Sequence, residues 1–490
     1  MKKLLSMFLV LALCLTNLAA FAEDAAELEA QFAAAKALYD EEKYSEAFAP
    51  MLALAEKGHV EAMHCVGRMY HVEDIGATNG QPDYAAAKEW YLKAVEFNDA
   101  VSMNNLGYGY VYGHFSEDGQ PDYATAKEWY LKAAELGYAK AMNNLALNYK
   151  RGHFSEDGQP DYAAAKEWFL KAAELGHVDS MTALATGYWA GYFSEDGQPD
   201  YATAKEWDLK AAELGSSESL YSVGYGYYTG DYTEDGQPDY LTAKEWFLKA
   251  AERGNADAMY ALGYYYDEGY FGEEGKANHE EILKWWKMAA EHGNTSSLYS
   301  LGRFYAHTVE PHDYAQAREW LLKAAEKEVR SAIDALGHHY RNGDFNGGVP
   351  DYEQALAWYM NGAELGYASS EDWVLDFYNN NLMEHAALMD FLQSRVRAGT
   401  TNTNIYDWLG YHYSNPAEDS GMMANYDLAL EAYTVGAELG SGYSMAQIGS
   451  LYRDGRLGDA DHETAREWYN KALEAGYADA QAALDGLNAQ

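Results

Sequence analysis

The sequence predicts an all-α protein, a solenoid of about twelve stacked helix-turn-helix repeats. Three observations predict it. A nearly constant segment recurs along the chain, with a spacing of 39 residues over its most regular part. Each copy carries two apolar stripes at helical spacing. Neither stripe can be buried by its own helix pair, so neighbouring copies must stack. A chain of 490 residues also exceeds what one compact core supports, which favours an extended array.

Residues 1–22 are expected to be a secretory signal peptide. Lys2 and Lys3 precede an apolar run from Leu4 to Leu15, and Ala20-Phe21-Ala22 forms a small-residue cleavage site before Glu23. The run is too short for a comfortable membrane span, so no membrane insertion is expected after cleavage. The protein is then secreted, to the periplasm or beyond the cell. Cys14 lies within the leader, and Cys65, left alone, reads as a buried small hydrophobe. The formal charge of −42, from 35 basic and 77 acidic residues, opposes binding to nucleic acid or anionic lipid.

Residues 23–43 read as an N-terminal capping helix. The repeat array proper spans 44–366, with its strict 39-residue period over 84–278. The Tyr after Pro-Asp marks the phase at Tyr84, Tyr123, Tyr162, Tyr201 and Tyr240. Weaker copies carry the position at Tyr44, His279, Tyr314, Tyr352, His385, Tyr426 and His462. In the Tyr123 copy a first helix is expected from Asp122 to Leu136, with Asp122 as N-cap and Gly137 as left-handed stop. Tyr123, Ala126, Tyr130, Ala133 and Ala134 share its apolar face, while Lys127, Glu128, Lys132 and Glu135 lie off it. A second helix is expected over Ala139–Arg151, with Ala141, Leu145, Ala146 and Tyr149 in one stripe. The position of Ala146 is Gly at 107, 224, 263, 302, 337 and 449 and Ala at 185. A recurrent helical glycine predicts close approach between helices, with the later Tyr filling the groove beside it. Region 367–425 is the least regular, and is where a single non-repeated pocket would be sought. Final repeats and a C-terminal cap occupy 426–490.

The pattern Asp-Tyr-x-x-Ala-x-x-Trp-Tyr-x-x-Ala-Ala-x-x-Gly, followed by Ala-x-x-x-Leu-Gly-x-x-Tyr-x-x-Gly, resembles the Sel-1-like repeat, a subclass of the tetratricopeptide-like helical repeats. It reads from Asp239-Tyr240 through Gly254, then from Ala258 through Leu262-Gly263, Tyr266 and Gly269. The resemblance covers roughly Tyr44 to the C-terminus. It implies a right-handed α/α superhelical solenoid and a non-enzymatic adaptor or scaffold that binds a protein or extended peptide on its concave face. Two departures fall inside the array: Asp208 replaces the aromatic of Tyr91, Tyr130, Phe169 and Phe247, and Leu375 replaces the framework Gly.

Two second-helix positions supply the candidate ligand contacts. Tyr108, Tyr225, Tyr264 and His338 share one; Asn104, Thr182, Tyr221, Tyr260 and Tyr299 share the other. Tyr offers contact area at low entropy cost and also stacks on sugars. A cell-wall glycan is therefore the alternative partner, and a wall-directed hydrolase a more distant one. No catalytic or metal-ligating set is expected, because the acids and glycines repeat with the fold. The acidic loops Phe115–Asp122, Phe154–Asp161, Phe193–Asp200 and Tyr232–Asp239 offer calcium its one opening. Their spacing differs from an Asp-x-Asp-x-Asp-Gly loop and reads as a Gly turn before a helix start, so no cofactor is expected. His114 and His153 open two of these loops, and stacking would set them about 10 Å apart.

Overall fold

The computed structural model describes residues 26–72, 82–272, 275–416 and 423–488. The expected leader lies outside them. The described residues contain twenty-five α-helices, a short 3-10 turn at Asp344–Asn346 and no strand. The chain divides into two compact units, Met1–Asn255 and Ala256–Gln490.

In the first unit α1 covers 26–40. Helix pairs follow: α2 Tyr44–Glu56 with α3 Val60–His71, α4 Tyr84–Val95 with α5 Ala100–Val111, and α6 Tyr123–Glu135 with α7 Ala139–Lys150. Next come α8 Tyr162–Glu174 with α9 Val178–Trp189, α10 Tyr201–Glu213 with α11 Ser217–Thr229, and α12 Tyr240–Glu252. The second unit begins with α13 Ala256–Asp267. It continues with α14 His279–Glu291, α15 Thr295–His307, α16 Tyr314–Ala325, α17 Arg330–Asn342, α18 Tyr352–Glu364 and α19 Ala368–Asn379. Its last helices are α20 His385–Arg397, α21 Thr403–Ser414, α22 Tyr426–Glu438, α23 Gly442–Arg453, α24 His462–Glu474 and α25 Ala480–Asn488. All twelve phase markers therefore open a first helix, His385 included.

Local chemistry sets these starts. The Asp122 carboxylate accepts from Thr125 N at 3.0 Å, satisfying an amide that has no partner in the helix. Its own N–H donates to Tyr110 O at 2.9 Å, which ties the loop back to the preceding helix. Gly137 then turns the chain at φ +80°.

Within each unit, a second helix packs most extensively on the first helix of the next repeat, except α19, which carries Leu375 at the framework position and packs mainly on α18. The framework glycine permits this. A Cβ at Gly107 would lie 2.7 Å from the ring of Tyr130. The groove is thus filled by the next repeat's first helix, and not by the later Tyr of the same helix as the sequence suggested. That later Tyr lies instead under a lysine: Lys88, Lys127, Lys166 and Lys205 sit 4.8 to 5.1 Å from the rings of Tyr110, Tyr149, Tyr188 and Tyr227. The same ammonium groups donate to the loop carbonyls of Phe115, Phe154, Phe193 and Tyr232, at 2.8 to 3.4 Å. Lysines that lie off the apolar face therefore clamp the loops. Cys65 is buried, as expected.

Candidate binding surface

The residue after the framework position is rotated about 100° away from the packed face and points outward. Tyr108, Tyr225 and Tyr264 stand there at 43, 37 and 39% exposure. The tyrosines four residues upstream support two of them. Tyr221 stacks on Tyr225 (centroids 6.4 Å apart) and Tyr260 on Tyr264 (6.5 Å). Tyr108 leans on Tyr112 instead, at 4.6 Å.

The other candidates are occupied by the fold. Asn104 is only 4% exposed, and its side-chain oxygen accepts from Asn144 Nδ2 at 2.8 Å, so the fold takes up this candidate contact. Thr182 bonds Ser219 Oγ at 3.0 Å. Tyr299 packs against the core formed around α16 to α21. His338 bonds the Tyr359 hydroxyl at 3.0 Å and sets its edge on Trp373, and burial lowers its pKa. Tyr411 was not foreseen: it occupies the same outward position at 44% exposure. The signal was the Gly410-Tyr411 pair, for a Cβ at Gly410 would lie 2.5 Å from Tyr433. Uneven spacing in that region hid it.

Two cavities adjoin these positions. In the first unit, about 190 Å³ opens among α9, α10 and α11, lined by Trp189, Asp208, Tyr221, Tyr225 and Tyr232. In the second unit, about 520 Å³ opens among α19, α21 and α23, lined by Tyr378, Asn404, Asp407, Trp408, His412 and Tyr443 among others. This cavity falls mainly within the irregular region. The Asp407 carboxylate accepts from Ser441 at 2.8 Å and from Ser444, while burial raises its pKa. His412 is buried with both ring nitrogens unpartnered, and burial, then the charge of His385, pushes it down to about 4.

The acidic loops are organised as turns. Asp118, Asp157, Asp196 and Asp235 each accept from the amide two residues on, at 3.0 Å. Among the described residues no group of three or more His, Cys, Asp or Glu side chains is placed to hold a metal ion. His114 bonds His71 at 2.9 Å, and His153 bonds Asn148 at 3.0 Å, so these two histidines serve separate contacts.

Stacked helix pairs and framework glycines define an all-α helical-repeat solenoid. The Sel1 repeat model matches residues 60–96, 100–138, 139–177, 178–216, 217–255, 256–294, 295–329, 331–367 and 442–477. The chain belongs to the Sel1 repeat family. Among solved structures it is similar to a protective antigen of uropathogenic Escherichia coli strains displaying an SLR fold, at 26% identity over 89% of each chain and TM-score 0.47. It is also similar to a Sel1 repeat protein from Oxalobacter formigenes, at 29% identity over 50% of this chain and 94% of that one, TM-score 0.41. An immunity protein from Pseudomonas aeruginosa matches at 18% identity over 48% of this chain and 82% of that one, TM-score 0.30. No curated protein matches the chain.

Proposed function

We propose that this protein is an exported, non-enzymatic scaffold that binds a partner protein or extended peptide along the outward positions of its second helices. One observation carries the reading: Tyr108, Tyr225, Tyr264 and Tyr411 keep a large aromatic in solvent at one register of the repeat. The frame does not require it, since Leu147, Thr186, Arg303 and Ser450 fill the same register elsewhere. Exposed rings that packing does not explain are the usual anchors of recognition. Repeats of this family commonly mediate protein interactions. Export rests on the charged start, apolar run and Ala20-Phe21-Ala22 of the leader. The reading calls for no cofactor.

The cavity at Trp408 favours a second reading, a cell-wall glycan, because it sets aromatic faces beside Asn404 and Asp407. Crosslinking the purified protein to intact cell surfaces, followed by mass spectrometry with and without calcium, separates these. The scaffold reading expects specific proteins crosslinked near the four tyrosines, lost when all four become Ala. Recovery of wall polymer in place of protein, lost in Trp408→Ala, sinks it in favour of the glycan. Capture that depends wholly on calcium returns the acidic loops as the site.

A further inference from the structure

In one repeat of the first unit, two framework residues differ together from their neighbours. The first-helix aromatic is Tyr91, Tyr130, Phe169 or Phe247 in four repeats and Asp208 in the fifth; the matching loop aromatic is Phe115, Phe154, Phe193 or Phe271, and Tyr232 beside Asp208. In the three preceding repeats of this unit the two rings meet, as at Phe169 and Phe193 with centroids 6.1 Å apart. Here the Tyr232 hydroxyl donates to Asp208 Oδ2 at 2.7 Å. Exchanging a ring for a carboxyl leaves space, and the 190 Å³ cavity lies at that position.

Asp208 is 2% exposed and lines the cavity, yet its Oδ1 has no hydrogen-bond partner. The Ser219 hydroxyl, which also meets Thr182 Oγ1 at 3.0 Å, is near enough to favour the charged form. Burial pushes the carboxyl up to about 6, so at neutral pH it is mostly ionised. A buried anion with one unserved oxygen is costly until a donor reaches it. Trp189, Tyr221 and Tyr225 supply aromatic rings to the lining, beside Ala185, Thr186 and Ser222. Aromatic faces beside a carboxylate favour a cation.

We propose that this cavity takes a primary alkylammonium group, that of a lysine side chain on the partner. The proposal rests on the scaffold reading for its source. The donor count selects the group. A quaternary ammonium has no N–H for Oδ1. A guanidinium presents two parallel donors, and its second would have to share Oδ2 with the Tyr232 hydroxyl. An ammonium donates one bond to Oδ1 and rests its methylenes on the rings.

Calorimetric titration of the purified protein with n-butylammonium in 150 mM salt tests the site, with tetramethylammonium and butylguanidinium as rival probes. The expected result is saturable binding of butylammonium in preference to both rivals. Asp208→Asn should weaken it roughly tenfold or more, the worth of a charge-assisted hydrogen bond. The double variant D208F/Y232F should abolish it. That variant restores the neighbour's residues, and Ala185 lines the cavity beside them as Ala146 shares the preceding core with Phe169 and Phe193, so it is expected to fold. Absence of butylammonium binding, preference for either rival, or binding that survives D208F/Y232F overturns the proposal. Each leaves the scaffold reading standing if the surface crosslinks persist. Amine binding without any crosslinked protein overturns the lysine source and the scaffold reading together, and assigns the cavity to a free amine.

Discussion

The regular repeats from α4 to α12 and the stretch from α18 to α22 hold their helices by different means. In the first, lysines on α4, α6, α8 and α10 tie the following loops by backbone carbonyls. In the second, the matching positions are Leu356, Met389 and Leu430. Side-chain pairs replace the clamp there. Arg395 Nε bonds Glu371 Oε1 at 2.7 Å in a buried pair, and Thr400 reaches the other oxygen at 2.9 Å. Asn402 and Asn404 both bond Asp372. A clamp onto backbone asks little of the sequence it holds, so its repeats stay interchangeable. A buried side-chain pair needs both partners, and residues 368–441, which use such pairs, are not matched by the repeat model.

The sharpest way to break that contrast is Glu371→Ala. It leaves the Arg395 charge buried without its partner and should cost about 3–5 kcal/mol, read by denaturant unfolding with hydrogen exchange in the second unit. Lys166→Met, which removes one clamp, should cost only about 1 kcal/mol. Equal losses would erase the distinction.

Acidity should separate the regions next. Asp208 titrates near 6 when folded, above an ordinary carboxyl near 3.9. Between those values the folded protein holds a proton that the unfolded chain releases. Stability through Asp208 therefore falls as pH rises through that window. His412 titrates near 4 when folded and near 6.5 when free, so the unfolded chain takes the proton first and stability falls as pH drops from 6.5 to 4. Each effect is on the order of 2–3 kcal/mol. His71 acts like His412, so comparing wild type with Asp208→Asn and with His412→Gln is what isolates each slope. Slopes of the same sign would refute the assignment.

The frame glycine should behave alike in both regions. Gly107→Ala and Gly410→Ala each drive a Cβ against a ring, and the crowding outweighs the helix gain, for a net loss of about 1–2 kcal/mol in thermal unfolding. A loss at 107 alone would mean that α21 is not seated on its neighbour as α5 is. The smallest contrast is at helix starts. Asp122→Ala should cost about 1 kcal/mol, whereas Glu384→Ala should cost little, because Glu384 makes no side-chain cap to α20.

Helix boundaries were the most legible feature. The expected helix from Asp122 to Leu136 is found as Tyr123–Glu135, and Ala139–Arg151 as Ala139–Lys150. The outward register was legible where the period held, through Tyr108, Tyr225 and Tyr264, and was lost at Tyr411 where it slipped. Asn104 shares a register with Tyr221 but not its setting, because Asn144 takes its oxygen. Asp208 was visible only as a missing aromatic.

Periodicity, caps and stops act through neighbours a few residues apart, so the chain alone dictated helices, repeat count and family. Which ring fills a glycine groove, which carbonyl a lysine reaches 27 residues on, and which carboxylate oxygen is left unserved depend on groups from different helices. Those were decided by tertiary packing, because contact distance and burial exist only once the repeats are stacked.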